Sequence, residues 1–230
     1  MKILYRNQRI NSKDRCYKSI RFEAKMNNPL ISVVTVSYNA VTTIEQTILS
    51  VINQTYSNIE YIIIDGGSTD GTVDIIRKYA DRIAYWVSEP DKGIYDAMNK
   101  GTKKANGEYI AFLNSDDWYE LDAVSIIAQF ADGKNDLISG IIKLYKNDLF
   151  LYAHGSSMDN IYNEMIAHPS TFMKRDLFWE LGGYDLSYKY VADYDLMLRL
   201  KKHGGCSFAD TLAYFFGCHI RCYQRIFELA

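Results

Sequence analysis

The stretch that decides the fold is IEYIIIDGGSTDGT, residues 59–72. Its first half, residues 59–64, is a short, nearly continuous apolar run. That is the pattern of a strand buried on both faces, as in a parallel sheet covered by helices. Asp65 ends the run directly, and a glycine-rich turn follows. The turn lacks the G-x-G-x-x-G spacing of a dinucleotide fingerprint and the G-K-[ST] ending of a P-loop, which weighs against NAD enzymes and ATPases.

Similar runs lie on either side, at residues 31–36, 83–87 and 109–113. Helical periods fall between them. Ile44, Ile48, Val51 and Ile52 share one face, and Thr43 with Gln46 predicts a capping box at its start. Ile94, Ala97, Met98 and Gly101 repeat the stripe, as do Leu121, Val124, Ala128 and Ala131. Strand–helix alternation over the first 130 residues predicts an α/β fold with a mostly parallel central sheet flanked by helices. The second half is less regular. Residues 137–145 and 149–154 are expected to pair around Lys146-Asn147-Asp148, and a strand at 171–174 leads into a short helix ending at Leu181-Gly182-Gly183. An amphipathic helix spans about 193–202, and late strands are expected at 206–209 and 212–216.

Composition sets the outer limits. The 230 residues are 48% hydrophobic and 23% charged, as in an ordinary globular chain, and the net charge of −2 gives no general field for nucleic acid. Residues 1–28 differ, with eight basic and two acidic side chains. They read as a loosely attached extension, the alternative being a basic segment that touches an anionic membrane surface. Residues 29–230 then form one domain, with a nucleotide-binding half at about 29–117 and an acceptor-binding half at about 118–230. The four cysteines are too few and too scattered for a disulfide framework, and Cys218, His219 and Cys222 fall short of a recognised zinc pattern. No run approaches the roughly 20 apolar residues of a spanning helix, and the start has no signal-peptide core, so a cytoplasmic location is expected.

In an open α/β sheet, ligands bind outside the carboxyl ends of the strands. There this chain places Ser37-Tyr38-Asn39, then Asp65 with its glycine turn, then Asn114-Ser115-Asp116-Asp117. Carboxylates gathered at strand ends repel one another unless a cation sits between them, and a hard divalent cation suits oxygen ligands. Asp70 is explained as the cap of the following helix, and one of Asp116 and Asp117 could cap the helix near Leu121. Along 193–202, Asp193 heads the apolar face with Leu196, Met197 and Leu200 and therefore points inward, as an N-cap or as a general base. Asp195 points elsewhere and is expected to form a surface pair with Arg199, worth roughly 0.3–0.5 kcal/mol.

Together these segments resemble the family 2 glycosyltransferases of GT-A fold. The landmarks are Val36-Ser37-Tyr38-Asn39, the 64–72 turn, Gly107-Glu108-Tyr109-Ile110, Leu113-Asn114-Ser115-Asp116-Asp117 and Gly182-Gly183-Tyr184-Asp185, in the family's order. The segment from Ser88 to Gly101, His168 before a strand, and Asp193-Tyr194-Asp195-Leu196 are similar to a bacterial subgroup that builds surface polysaccharides such as lipopolysaccharide O-antigens. The resemblance implies that Ser37 and Tyr38 line the base pocket and that Asp65 contacts the uracil or ribose. It further implies that Asn39, Gly67, Ser68, Lys92, Asn114 and Ser115 bind the nucleotide sugar. Asp116 would hold Mg²⁺ or Mn²⁺ on the sugar diphosphate, Asp193 would be the catalytic base, and His168 and Asp117 would lie on the acceptor side. The chain departs from the family at Asn114, Ala192 and Met98 and in the segment Gly217–Cys222, where His219 could be an extra metal ligand.

The implied reaction is inverting transfer of a sugar from a nucleotide-diphosphate donor, a UDP-sugar by preference, to a hydroxyl of a glycan or lipid-linked oligosaccharide. The alternatives are a non-catalytic nucleotide-sugar-binding module and a sugar-phosphate nucleotidyltransferase. The loop at 37–42 lacks the glycine–arginine pattern that the second would need.

Overall fold

The computed structural model describes residues 28–146 and 149–219. The chain runs β1 (Ile31–Ser37), α1 (Ile44–Ile52), β2 (Ile59–Asp65), α2 (Thr72–Lys78), β3 (Tyr85–Ser88), α3 (Ile94–Lys104), β4 (Tyr109–Asn114), β5 (Asp117–Tyr119), α4 (Ala123–Phe130), β6 (Leu137–Lys146), β7 (Leu149–His154), β8 (Thr171–Lys174), α5 (Arg175–Glu180), α6 (Ala192–His203) and β9 (Phe208–His219). One sheet collects the strands in the order β3-β2-β1-β4-β8-β6-β9-β5, with β7 paired to β6. The four strands of the first half are parallel, and β8 joins β4 antiparallel. This mixed, mostly parallel sheet with helices on both faces is the GT-A architecture that the sequence implied.

Alternation along β1 and β2 explains why these strands are apolar almost throughout. Val33 and Ile63 enter one core with α1 and α4, while Val34, Ile62 and Ile64 enter the other with α3, α5 and α6. Register aligns the strand ends: Ser37 pairs with Asp65, Asp65 with Ser88, and Val36 with Asn114. Three loops and a hairpin therefore leave the sheet at one level.

Several boundaries differ from the sequence reading. Thr43 precedes α1 but its hydroxyl lies 3.4 Å from the Ala40 carbonyl and makes no side-chain cap, so the capping box is not formed. The run at 83–87 forms its strand only from Tyr85, and the two late strands are one continuous β9, drawn out by its ladder with β6. Helix α4 starts at Ala123 behind Asp122, leaving Leu121 exposed, so neither Asp116 nor Asp117 caps it. Asp70 precedes the helix by two residues. Its Oδ1 accepts from the Thr72 amide and hydroxyl, while Gly71 holds the cap position in left-handed backbone. Residues 1–27 of the basic extension, and Cys222 of the cysteine–histidine cluster, lie outside the described residues, whereas Cys218 and His219 are the last residues of β9.

Helix α3 approaches the sheet closely at Gly101, where an added methyl group would collide with Val34 Cγ1 on the central strand. Gly101→Ala gains helix propensity of about 1 kcal/mol but overpacks the core at a cost of about 1–3 kcal/mol. Because the obstructing group is a β-branched side chain fixed in β1, we expect a net loss of stability. Urea denaturation of the variant should show a lower midpoint; a higher one would mean that the helix shifts freely on the sheet.

Candidate active site

The site is built around a buried carboxylate. Asp65, at the end of β2, is fully buried. Its Oδ1 accepts from the Ser37 hydroxyl (2.8 Å) and the Ser68 hydroxyl (2.5 Å). Its Oδ2 accepts from the Ser88 hydroxyl (2.7 Å) and the amides of Gly67 (3.1 Å) and Ser68 (2.8 Å). Burial by itself would raise its pKa, but the donors, led by the Ser68 and Ser88 hydroxyls, outweigh it and hold the carboxyl below its ordinary value. Five donors use the acceptor capacity of one carboxylate. Asp65 is thus the pin that joins the loops after β1, β2 and β3, and Ser37, Gly67 and Ser68 are first of all its partners.

The first two loops are stitched further. The Asn39 amide donates to Ser68 Oγ (2.8 Å) and the Thr69 amide to Asn39 Oδ1 (3.0 Å), with Asn39 in left-handed backbone at φ 49°. Tyr38 is left outside this net, 67% exposed. Next to it, Gly66 is needed for close approach: a Cβ there would stand 2.5 Å from Asp91 Oδ2 and 3.4 Å from Tyr38 Cδ2. Asp91 accepts from the Gly93 amide through Oδ1 (2.8 Å). An exposed aromatic ring and a carboxylate oxygen thus flank a glycine floor. Lys92 has an exposed side chain, and its amide donates to Asp96 (3.0 Å).

Residues 114–117 form the hairpin turn between β4 and β5. Asn114, Ser115 and Asp116 are half-buried there. Asp117 is fully buried in β5, where its carbonyl accepts from the Thr47 hydroxyl (2.7 Å) and Asn114 Nδ2 lies 3.4 Å from its carboxylate. Asp117 thus lies within the sheet, in register with Cys218 of β9. Among the described residues no three metal-ligating side chains gather. The donor set at the turn is one half-buried carboxylate, Asp116, which fits a magnesium-like ion shared with a ligand's phosphates rather than a protein cage.

Asp193 lies in the first turn of α6 and is 9% exposed. Its Oδ1 accepts from the Tyr95 hydroxyl (2.9 Å), which also lies 3.0 Å from the Tyr190 carbonyl. It is not an N-cap; Val191 occupies that position. Behind it, His168 stacks on Phe112, and its Nε2 lies 2.6 Å from the Tyr184 hydroxyl. Burial of the ring lowers the His168 pKa despite the opposing charge of Asp193, which favours the neutral imidazole. Asn99 of α3 clamps Tyr184 at both backbone groups (2.8 and 3.0 Å). Arg199 pairs with Asp195 (2.8 Å) as expected, but it also donates to the carbonyls of Leu181 and Gly183. The pair is therefore half of a loop clamp, not a surface ornament. Phe112 sits two residues before Asn114 on β4 and touches both His168 and Tyr184, so the Asp193 cluster and the Asp116 turn share one end of the sheet.

Sequence reasoning assigned no role to Ser88, Asp91, Tyr95 or Asn99. All four lie in the Ser88–Gly101 segment that carries the subgroup resemblance, but their individual roles appear only through contact with distant segments.

This fold, with strand-end loops and a carboxylate at each side, is of GT-A architecture. The chain belongs to glycosyl transferase family 2, whose profile it matches over residues 32–190. It is 31% identical over 178 residues to a "PGL/p-HBAD biosynthesis glycosyltransferase" of Mycobacterium bovis, covering 74% of this chain and 69% of that one. Among solved structures, it resembles S. aureus TarS in complex with UDP-GlcNAc at a TM-score of 0.70 and 18% identity, over 83% of this chain and 58% of that one. A mannosyltransferase of Pyrobaculum calidifontis, in complex with GDP-Man and Mn²⁺, is similar at a TM-score of 0.63 and 21% identity, over 83% and 56%. These structures are longer proteins, of which this chain spans somewhat more than half. No helix among the described residues is long and apolar enough to cross a membrane.

Asp65→Asn puts an amide nitrogen where donors converge. Loss of charge-assisted hydrogen bonds should cost about 2–3 kcal/mol at pH 7, read by urea denaturation. The sign with pH follows from the lowered carboxyl. Its stabilisation is complete above the ordinary value of 3.8 and disappears as pH falls through the lower folded value. The variant should therefore lose less stability than the parent on acidification below about pH 4. An unchanged acid limb would mean that another carboxylate governs it.

Proposed function

We propose that the protein is an inverting glycosyltransferase that moves a sugar from a UDP-sugar to a hydroxyl of a glycan or lipid-linked acceptor in surface-polysaccharide synthesis. The observation that carries this reading is Asp193: an inward carboxylate with one oxygen held by Tyr95, at the same sheet end as the Asp116 turn. The uracil ring stacks on Tyr38, and the Asp91 carboxylate accepts from its N–H edge above Gly66. The relatives' UDP-GlcNAc and GDP-Man complexes support a nucleotide-sugar donor in a fold of this kind.

The chemistry follows from charge. An acceptor oxygen forms its bond to the anomeric carbon while the carbon–phosphate oxygen bond breaks, and the nucleoside diphosphate departs with the electron pair. The acceptor proton passes to Asp193, whose Oδ1 is engaged by Tyr95, leaving Oδ2 to receive it. One carboxylate suffices for a single displacement with inversion, unlike the pair that a glycosidase needs. A divalent cation held by Asp116 would supply Lewis-acid stabilisation of the diphosphate charge. The basic extension, whose eight cationic side chains suit an anionic membrane surface, would bring the enzyme to lipid-linked acceptors.

The reading is tested by measuring nucleotide release from UDP-sugars with and without Mn²⁺. Asp116→Ala should abolish the Mn²⁺ dependence of UDP binding with the melting temperature unchanged. Asp193→Asn should lower turnover by about 10²-fold or more while UDP affinity survives. Full turnover in the second variant would remove Asp193 as the base, and binding without any turnover in the parent would leave a nucleotide-sugar-binding module.

A further inference from the structure

Tyr95 stands four residues after Asp91, in the first turn of α3, yet its phenol reaches across to the first turn of α6. Its proton lies between Asp193 Oδ1 (2.9 Å) and the Tyr190 carbonyl (3.0 Å), and the amides of Ala192 and Asp193 approach its oxygen. A tyrosine in place of a capping side chain thus meets both the amides and the carboxylate at the head of α6. The ring is wedged against Tyr184 at a centroid distance of 5.1 Å, and Tyr184 is itself pinned by Asn99. The phenol therefore has a fixed position from which to hold the carboxylate. Among the described residues, Asp193 Oδ2 has no hydrogen-bond partner.

We propose that Tyr95 is the positioning residue for the base: it fixes Asp193 with Oδ1 occupied and Oδ2 presented to the acceptor hydroxyl. The proposal rests on the reading of Asp193 as the general base. A carboxylate without this contact rotates about its Cβ–Cγ bond and presents either oxygen, or neither, at the reacting proton. Tyr95 itself transfers no proton, since burial and the neighbouring carboxylate push its own pKa far upward. The other titratable groups around Asp193 are His168 and Tyr184, which feel its charge, whereas Arg199 and Asp195 are turned to each other and to the Leu181–Gly183 carbonyls.

A purely structural cap would make the same contacts, so the test must separate the two roles. Tyr95→Phe, Asp193→Asn and the double variant are compared with the parent. The readouts are UDP release from UDP-glucose, UDP-galactose and UDP-GlcNAc with water as acceptor, between pH 5 and 9, and UDP binding by calorimetry. Tyr95→Phe should lower kcat about tenfold and leave KM and UDP affinity within about twofold. The double variant should be no slower than Asp193→Asn alone. Parental kcat in Tyr95→Phe, or a loss carried by KM and UDP affinity instead, with Asp193→Asn slow, would overturn the positioning role and leave the base intact. A normal rate in Asp193→Asn would overturn the base itself. Melting temperatures give an answer without turnover: the two single losses should be non-additive, and strict additivity would show that the residues do not interact.

Discussion

A carboxylate buried at the end of a central parallel strand has to be satisfied, and this requirement organises the loops after β1, β2 and β3. Asp65 has no access to water, so its charge is tolerable only where donors converge on it. The parallel register supplies Ser37 on one side and Ser88 on the other, and the glycine turn supplies two amides and the Ser68 hydroxyl. Three loops that belong to three strands become one surface. Tyr38 is free to face a ligand because the backbone on either side of it is tied down.

A second set of contacts performs the equivalent task around Asp193. The segment from Leu181 to Tyr184 is held from α3 by Asn99 and from α6 by Arg199. Tyr184 then closes an aromatic cluster with Tyr95, Phe112, His168 and Phe178. Such a cluster is rigid because each ring is confined by the others, and it leaves Asp193 at its edge with a defined orientation. Helix α3 therefore serves both halves: the loop that enters it carries Asp91, and its first turn carries Tyr95. Gly101 lets this helix sit low enough on β1 and β2 for both contacts to be made.

The contacts of Asp65, Asp117, His168 and Arg199 go beyond what their places in the sequence announce, for one physical reason. Each was placed by its position after a strand or along a helix face, which fixes direction but not what stands opposite. Asp117 follows Asp116 immediately, yet β5 turns it inward to pack beneath the hairpin. Arg199 stands at the expected four-residue spacing from Asp195, but its guanidinium has donors to spare, and the nearby carbonyls of a tight turn take them.

The sequence by itself determined the architecture and the level of the site. Unbroken apolar strands between amphipathic helices specify a sheet covered on both faces, and residues directly after such strands must lie at its carboxyl edge. It also determined that Asp193 points inward, because helical periodicity places it above Leu196 and Met197. Only the tertiary structure decided that Asp65 is a pin, that Asp91 reaches over Gly66, and that Tyr95 grips Asp193 from 98 residues away. Local periodicity reports which face a side chain occupies. The identity of its partner is set by long-range packing, which brings together residues whose spacing in the chain has no bearing on their distance in space.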